Sequence, residues 1–320
     1  MSAAHLAADV RTVRHGAALV VPAHELLWVR GRDAISYLEG LLSQSVESAP
    51  VGSVGRTLLL SPQGKLVSPL WMLRDQTRVG LVGDPGAGEA VLETLQRFRF
   101  RVEVSLGYER LPTAEVWGPD AAAAVGAASG IEALPGAWVG GGASVVADLP
   151  FRHIDLPRWL IAGIDPMELV AAGISPVEGE AAAAVRIEAG EPLMGVDVDE
   201  STIPQEAGLT DGAVDFTKGC YLGQELVARI ESRGHVNRHL RGLLCAEGDT
   251  PPPGAALSVE GRRVGTITSA ASSPGFGVPV GLGFVRREVG PGTAVAVDWG
   301  DGATTAIVRE LPFERVEGAS

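Results

Sequence analysis

The sequence predicts an α+β fold that ends in an all-β barrel, and two observations predict it. Over roughly the first 235 residues, hairpin-like runs and helical runs follow one another without the regular strand–helix–strand beat of a doubly wound sheet. After about His239 helical periodicity disappears. PPPG, VEGRRVG, ASSPGFG and VGPG punctuate short β-branched runs, the pattern of a small barrel. A chain of 320 residues is long enough for two domains or three small ones, and the change of character places a boundary near 236–241.

HELLWVR (24–30) reads as a short strand. Asp33 is placed to cap a helix whose apolar face is Ala34, Tyr37, Leu38, Leu41 and Leu42. RTLLLS and KLVSPLWML, joined by Pro62-Gln63-Gly64, form a hairpin by their turn chemistry, with Pro69 marking an edge or a bulge. TRVGLVG is a strand and GAGEAVLETLQRF a helix. From Phe98 to Val104 apolar and charged residues alternate, which predicts a half-buried strand. Further on, AEVW, ASVVADL and RWLIAGI read as strands, while PDAAAAVGAAS, DPMELVAAG and the alanine-rich 180–190 stretch read as helices.

The net charge of −13 argues against non-specific nucleic-acid binding, which depends on neutralising phosphates. The N-terminus shows no signal peptide, and no run approaches the ~20 apolar residues of a membrane span. Two cysteines, Cys220 and Cys245, make neither a disulfide framework nor a metal motif, so a reducing cytoplasm is expected. His235 and His239 lack the further ligands of a metal site. Cys245 alternates as a strand residue would, which suits a buried small hydrophobe. GDPGAG (83–88) lacks the spacing of a phosphate loop and reads as a strand-to-helix turn.

Two segments suggest chemistry. EAGEPLMGVDVDESTIPQE (188–206) carries Glu188, Glu191, Asp197, Asp199, Glu200 and Glu206 and no basic residue. Residues 218–241 carry Lys218, Arg229, Arg233, Arg238 and Arg241 against Glu225 and Glu231. The two segments either pair with each other at the surface or share one ligand with a donor-rich head and an anionic tail, as a pterin with a glutamate tail would have. Within KGCYLGQE (218–225), Cys220 lies just before an expected helix. The helix end and Lys218 would each favour its thiolate over the thiol. The plainer alternative is a glycine-bounded turn holding a buried cysteine.

KGCYLGQE, together with RIEAGEPLMGVDVDESTIPQE, FTKGCYLGQELVARIESRGHVNR and GRRVGTITSAASSPGFGVPVGLGFVRR, resembles the folate-binding YgfZ family, relatives of the glycine-cleavage T-protein. The resemblance covers most of the chain, loosely over 108–180. It implies a T-protein-like α+β molecule with three parts. These are an N-terminal domain of residues 1–110 completed by about 181–236, a middle domain of 111–180, and a barrel of 237–320. It implies tetrahydrofolate as ligand and support of iron–sulfur enzymes, including tRNA-modifying ones, by a monomer with no metal site of its own. It makes Cys220 and Lys218 the candidate catalytic pair. Glu188, Asp197, Glu206, Tyr221, Gln224 and Arg229 are the candidates to line the folate site. Where T-proteins carry an aspartate pair after the hairpin, this chain has Ser68 and Pro69, which argues against aminomethyl transfer of the glycine-cleavage type. That activity and a non-catalytic folate-binding adaptor are the alternatives.

Overall fold

A computed structural model describes residues 2–141 and 144–313. Ala143 of the expected ASVVADL strand and the last seven residues of the expected barrel domain lie outside the described residues. Helix α1 (Ala3–His15) leads into β1 (Ala18–Val20). There follow β2 (Glu25–Arg30), α2 (Ala34–Glu39), β3 (Val54–Leu60), β4 (Leu66–Arg74), β5 (Arg78–Gly83), α3 (Gly88–Arg97) and β6 (Ser105–Glu109). Next come β7 (Thr113–Trp117), α4 (Ala121–Ser129), β8 (Trp138–Gly141), β9 (Ser144–Asp148), β10 (Arg158–Ala162), α5 (Pro166–Ala171) and the short β11 (Ser175–Pro176). Helix α6 (Gly179–Glu188), a 3-10 turn (Pro204–Ala207) and α7 (Gln224–Arg233) connect to the last six strands. These are β12 (Arg238–Cys245), β13 (Ala256–Val259), β14 (Arg262–Ser273), β15 (Val278–Arg286), β16 (Ala294–Asp298) and β17 (Ala303–Arg309).

The strands make three sheets. One has the order β3-β4-β5-β2-β6, the second β11-β1-β7-β10-β9-β8, and β12-β15-β14-β13-β16-β17 close into a barrel. The first two sheets pack face to face through Leu26, Trp28, Leu73 and Val82 on one side and Trp138, Val145, Ala147 and Leu160 on the other. Cys245 sits in the barrel core, where burial pushes its thiol up to about 11. Among the described residues no helix is long and apolar enough to cross a membrane.

Two local expectations differ from the structure. Phe98–Val104 is not a strand. Arg101 takes a positive φ of 55°, which breaks an extended run, and pairing with β2 begins only at Arg30↔Ser105. Asp33 does not cap α2 with its side chain. Its carboxylate accepts the Glu103 N–H at 2.7 Å and so ties α2 to the approach to β6. Pro69 lies within a hairpin strand, but β5 pairs with β4 only as far as Leu70↔Gly83. The proline therefore stands just past the point where that side of the ladder ends.

Helix α6 runs through the middle of the molecule. It packs on α1, β14 and β15, and Ala181, Ala182, Ala184, Val185, Arg186, Ile187 and Glu188 are all buried. The run of alanines allows close approach from several sides. The buried Arg186 guanidinium donates to Asp197 Oδ2 at 2.7 Å, to the Glu191 carbonyl at 2.7 Å and to Ser269 Oγ at 3.2 Å. Thr268 and Ser269 on β14 donate to the other Asp197 oxygen, at 2.5 and 2.7 Å, and the Leu193 N–H donates to Oδ2. Removing one partner of a buried ion pair strands the other charge. Arg186→Met is therefore expected to cost about 3–5 kcal/mol in urea unfolding. A loss under about 1 kcal/mol would show that the network is dispensable.

Candidate functional site

A cavity of about 240 Å³ lies where the two open sheets meet α6. Its apolar wall comes from Leu58 on β3, from Pro69, Leu70 and Trp71 on β4 and from Val82 on β5. The facing sheet adds Val20 and Trp117, and α6 adds Ala182 and Ala183. Four arginines, Arg56, Arg152, Arg158 and Arg186, and three carboxylates, Asp84, Glu115 and Glu191, also face it, with His24 beside them.

Most of these charges are matched. Arg56 Nη1 meets Glu191 Oε1 at 2.6 Å, and the Arg152 backbone N–H donates to Glu191 Oε2 at 3.2 Å. The Arg56 guanidinium also stacks on Trp71, 4.2 Å from the ring centre. Burial would raise the Glu191 carboxyl, but Arg56, Arg158 and Arg152 override it and hold it at about 2. Burial pulls Arg56 down to about 10 against the attraction of Glu191. Glu115 accepts from Trp117 Nε1 at 2.7 Å and from His24 Nε2 at 2.9 Å, with Arg158 Nε 3.8 Å away. Burial again opposes its ionisation, and Arg158 and His24 prevail, holding it at about 2. His24 Nδ1 faces the Gly83 carbonyl at 3.0 Å. Both ring nitrogens thus face acceptors, which favours the doubly protonated ring. Its value is raised: burial lowers it, and Glu115 leads the opposing interactions. Arg152 donates to the Gly208 carbonyl at 2.6 Å, while its buried Nε finds no partner among the described residues. Asp84 accepts one N–H, from Met194 at 2.9 Å.

None of the six residues expected to line a folate site lines this cavity, and Asp197 borders a second one of about 470 Å³ together with Asp199 and Arg238. Glu188 accepts from Arg14 and from Ser273 Oγ, both at 2.6 Å, and so joins α1, α6 and the barrel. Asp197 serves Arg186. Glu206 is held by Arg238 at 3.0 Å, so at this point the acidic and basic segments pair with each other. Tyr221 is buried in the core, and burial pushes its phenol up to about 12. Gln224 accepts the Tyr221 N–H at 3.2 Å, and Arg229 is exposed on α7.

Lys218 also has a structural position. Its side chain is 2% exposed. Nζ donates to the carbonyls of Glu39, Leu42 and Gln44 at 2.8–3.1 Å and meets Glu39 Oε1 at 3.1 Å, which closes the C-terminal end of α2. Gly223 adopts φ 78°, and an added Cβ would meet the Ser61 carbonyl at 2.4 Å. It therefore lets α7 start directly against the β3–β4 turn. Cys220 is exposed. The cavity arginines were missed in the sequence because Arg56, Arg152 and Arg158 are spread over a hundred positions. The one usable signal was GDPGAG, whose Asp84 faces the cavity.

Two outcomes are expected. Depressed carboxylates stabilise the fold above their ordinary value of 4.5, and that stability is lost as pH falls toward about 2. His24, raised from 6.5, contributes stability below 6.5 that is lost as pH rises through its higher value. Urea unfolding should therefore show a steep acid limb between about pH 4.5 and 2, flattened in Glu191→Gln. Separately, Lys218→Met should cost about 1.5–3 kcal/mol and leave the alkylation rate of Cys220 unchanged. A slowed rate would show that the ammonium acts on the thiol.

A family profile for the glycine cleavage T-protein C-terminal barrel domain matches residues 238–314. The chain is 29% identical over 340 residues to the mitochondrial aminomethyltransferase of Gallus gallus, covering 97% of this chain and 84% of that one. It is 30% identical over 338 residues to an aminomethyltransferase of Bordetella parapertussis, covering 95% of this chain and 86% of that one. Its fold superposes on the crystal structure of the glycine cleavage system aminomethyltransferase T from Bartonella henselae. The TM-score is 0.86 at 23% identity, covering 97% of this chain and 90% of the other. The α+β architecture with its closed C-terminal barrel is thus that of the T-protein, and the chain belongs to the glycine-cleavage aminomethyltransferase family.

Proposed function

We propose that this chain holds a reduced folate in the central cavity and supports iron–sulfur enzymes through Cys220. The observation that carries the second part is the anatomy of KGCYLGQE. Lys218 closes α2, Tyr221 fills the core, Gln224 binds a backbone N–H, and Gly223 seats α7 on the hairpin turn. Each of these has a structural task. Cys220 is a free thiol exposed at the surface, with no such contact among the described residues. The same string carries the resemblance to the YgfZ family.

The cavity residues suit a pterin head. Flat aromatic and aliphatic walls from Trp71, Trp117, Pro69 and Leu70 match a planar bicycle. Asp84 has acceptor capacity for ring N–H groups. A volume of about 240 Å³ lies below the ~300 Å³ at which pockets for whole drug-sized ligands begin, so the head would enter and the tail extend outward.

A second reading, aminomethyl transfer, is favoured by the relatives, which carry that name. Against it stand Ser68, buried with its hydroxyl turned onto the Pro69 carbonyl, and Pro69 on the cavity wall, where the T-protein acids would be. Calorimetric titration with tetrahydrofolate under anaerobic reducing conditions tests the shared part. Saturable one-to-one binding is expected, and no binding at millimolar ligand sinks both readings. Cells lacking the native protein and carrying Cys220→Ala should lose iron–sulfur enzyme activity, and full activity would exclude the thiol. Folate-dependent ammonia release from an aminomethyl-lipoyl carrier would decide for the second reading.

A further inference from the structure

We infer that Asp84 is the carboxylate that receives the N–H groups of a reduced pterin in the central cavity, a ligand-positioning role moved one strand over from Ser68 and Pro69. This rests on the proposal that the cavity takes a reduced folate, and on nothing about the later chemistry.

Elimination among the cavity carboxylates leads to Asp84. Glu191 has one oxygen on Arg56 and the other on the Arg152 N–H. Glu115 has one on His24 and the other on Trp117, with Arg158 close by. A ligand could use either only by breaking a buried charge pair, which is costly. Asp84 accepts the Met194 N–H on Oδ2, the one hydrogen bond seen to its side chain among the described residues, so a carboxylate with about four lone-pair sites has capacity left.

The backbone explains why an aspartate stands here. The last β4–β5 pair is Leu70↔Gly83, so one further step along the ladder would set Pro69 opposite Asp84. Proline has no N–H to extend that ladder. The chain leaves β5 after Gly83 and turns, with the Ala87 N–H on the Asp84 carbonyl at 3.2 Å. The turn is fixed from both sides. Glu25 accepts the Gly88 N–H at 2.6 Å, and His24 meets the Gly83 carbonyl. An added Cβ on Gly88 would meet Glu25 Oε2 at 2.4 Å and displace the carboxylate that holds the Gly88 N–H. A carboxyl is thereby supplied to the cavity from the end of β5.

The charged groups that act on Asp84 from the elements around it are His24 before β2, Arg158 on β10 and Glu191 after α6. Asp84 keeps some accessible surface because it faces the cavity, yet enclosure by protein raises its carboxyl, with Glu191 adding to the rise. The Met194 N–H, His24 and Arg158 oppose it. A carboxyl poised in this way ionises as N–H donors arrive, so ligand affinity follows its protonation.

The test is tetrahydrofolate binding to the full chain by calorimetry across about pH 5 to 8. In the native protein affinity should fall as pH drops below the Asp84 value, by up to about tenfold per unit. Asp84→Asn keeps an oxygen for the Met194 N–H. It should bind about 10–100-fold more weakly near pH 7.5, as expected for loss of a charge-assisted bond, and with no pH slope of its own. Asp84→Glu should restore the slope. An Asn variant with native affinity and native pH dependence overturns the proposal while leaving the folate reading intact. Absence of binding to the native protein overturns both. Should Asp84→Asn fail to fold, native protein labelled with 13C at aspartate carboxyls gives the answer. Tetrahydrofolate near pH 5 should move one carboxyl resonance to its ionised position, and spectra unmoved by bound ligand overturn the assignment.

Discussion

The buried pair of Arg186 and Asp197 is the constraint on which the rest of the molecule depends. One guanidinium holds the end of α6, the 191–197 segment and barrel strand β14 in a single network. Arg186 also faces the central cavity, so the group that fixes the barrel to the open sheets helps to set the cavity's shape. A buried ion pair is a poor source of net stability, because desolvation offsets much of the attraction. It is a good source of geometry, since the alternatives each leave a charge without a partner. The alanines around Arg186 in α6 fit the same logic. They give the helix no bulk of its own and let its neighbours approach closely.

The cavity has a second consequence of enclosure. Its charged groups could not all be buried alone, and the structure matches them in two groups, one on Glu191 and one on Glu115. Arg56 lies on Glu191, the Arg152 main chain on the same carboxylate, and His24 and Arg158 on Glu115. The aromatic faces of Trp71 and Phe151 take up part of the guanidinium surface, with Arg158 4.5 Å from the Phe151 ring centre. Matching of this kind holds Arg56, Glu191, Glu115 and His24 at two atoms each. Asp84 and the Arg152 guanidinium are each held at one among the described residues.

Much of the fold was legible because local chemistry and global packing agree. The Pro62-Gln63-Gly64 turn, the alternation of β12 and the Asp165 cap, whose carboxylate accepts the Met167 N–H at 2.8 Å, are local signals with local causes. Phe98–Val104 misled because alternation alone does not supply a partner strand. Phe100 stands 73% exposed there. The charged lining of the central cavity was far less legible. The acidic run at 188–206 and the basic run at 218–241 looked like two walls of one ligand site. Glu206 with Arg238 took the plainer course of pairing across the two runs, while Glu188 and Asp197 found partners on α1, α6 and the barrel. Charge patterns along a chain show that opposite charges must meet, and give no sign of whether a ligand stands between them. The charged groups that face the cavity come from β3, β7, β10, α6 and four loops, a set that only the tertiary fold assembles.

The position of KGCYLGQE follows from the same economy. Tyr221 packs in one cluster with Leu58, Leu209 and Ala213, and these three also line the cavity. The motif is therefore the outer support of a cavity wall, with Cys220 on the solvent side and Tyr221 on the inner side. Lys218 and Gly223 anchor the motif to α2 and to the hairpin turn, so the wall cannot shift without disturbing one of them. Under the proposed function this places the two chemistries on opposite faces of one thin partition. A small ligand enters the cavity from within, while an exposed thiol is open to a macromolecule. A ligand that displaces Leu58, Leu209 or Ala213 acts on the same core cluster that holds Tyr221, the neighbour of Cys220. A close-packed core passes such displacement on with little loss. A folate that stiffens this wall would steady the thiol's setting without touching the sulfur.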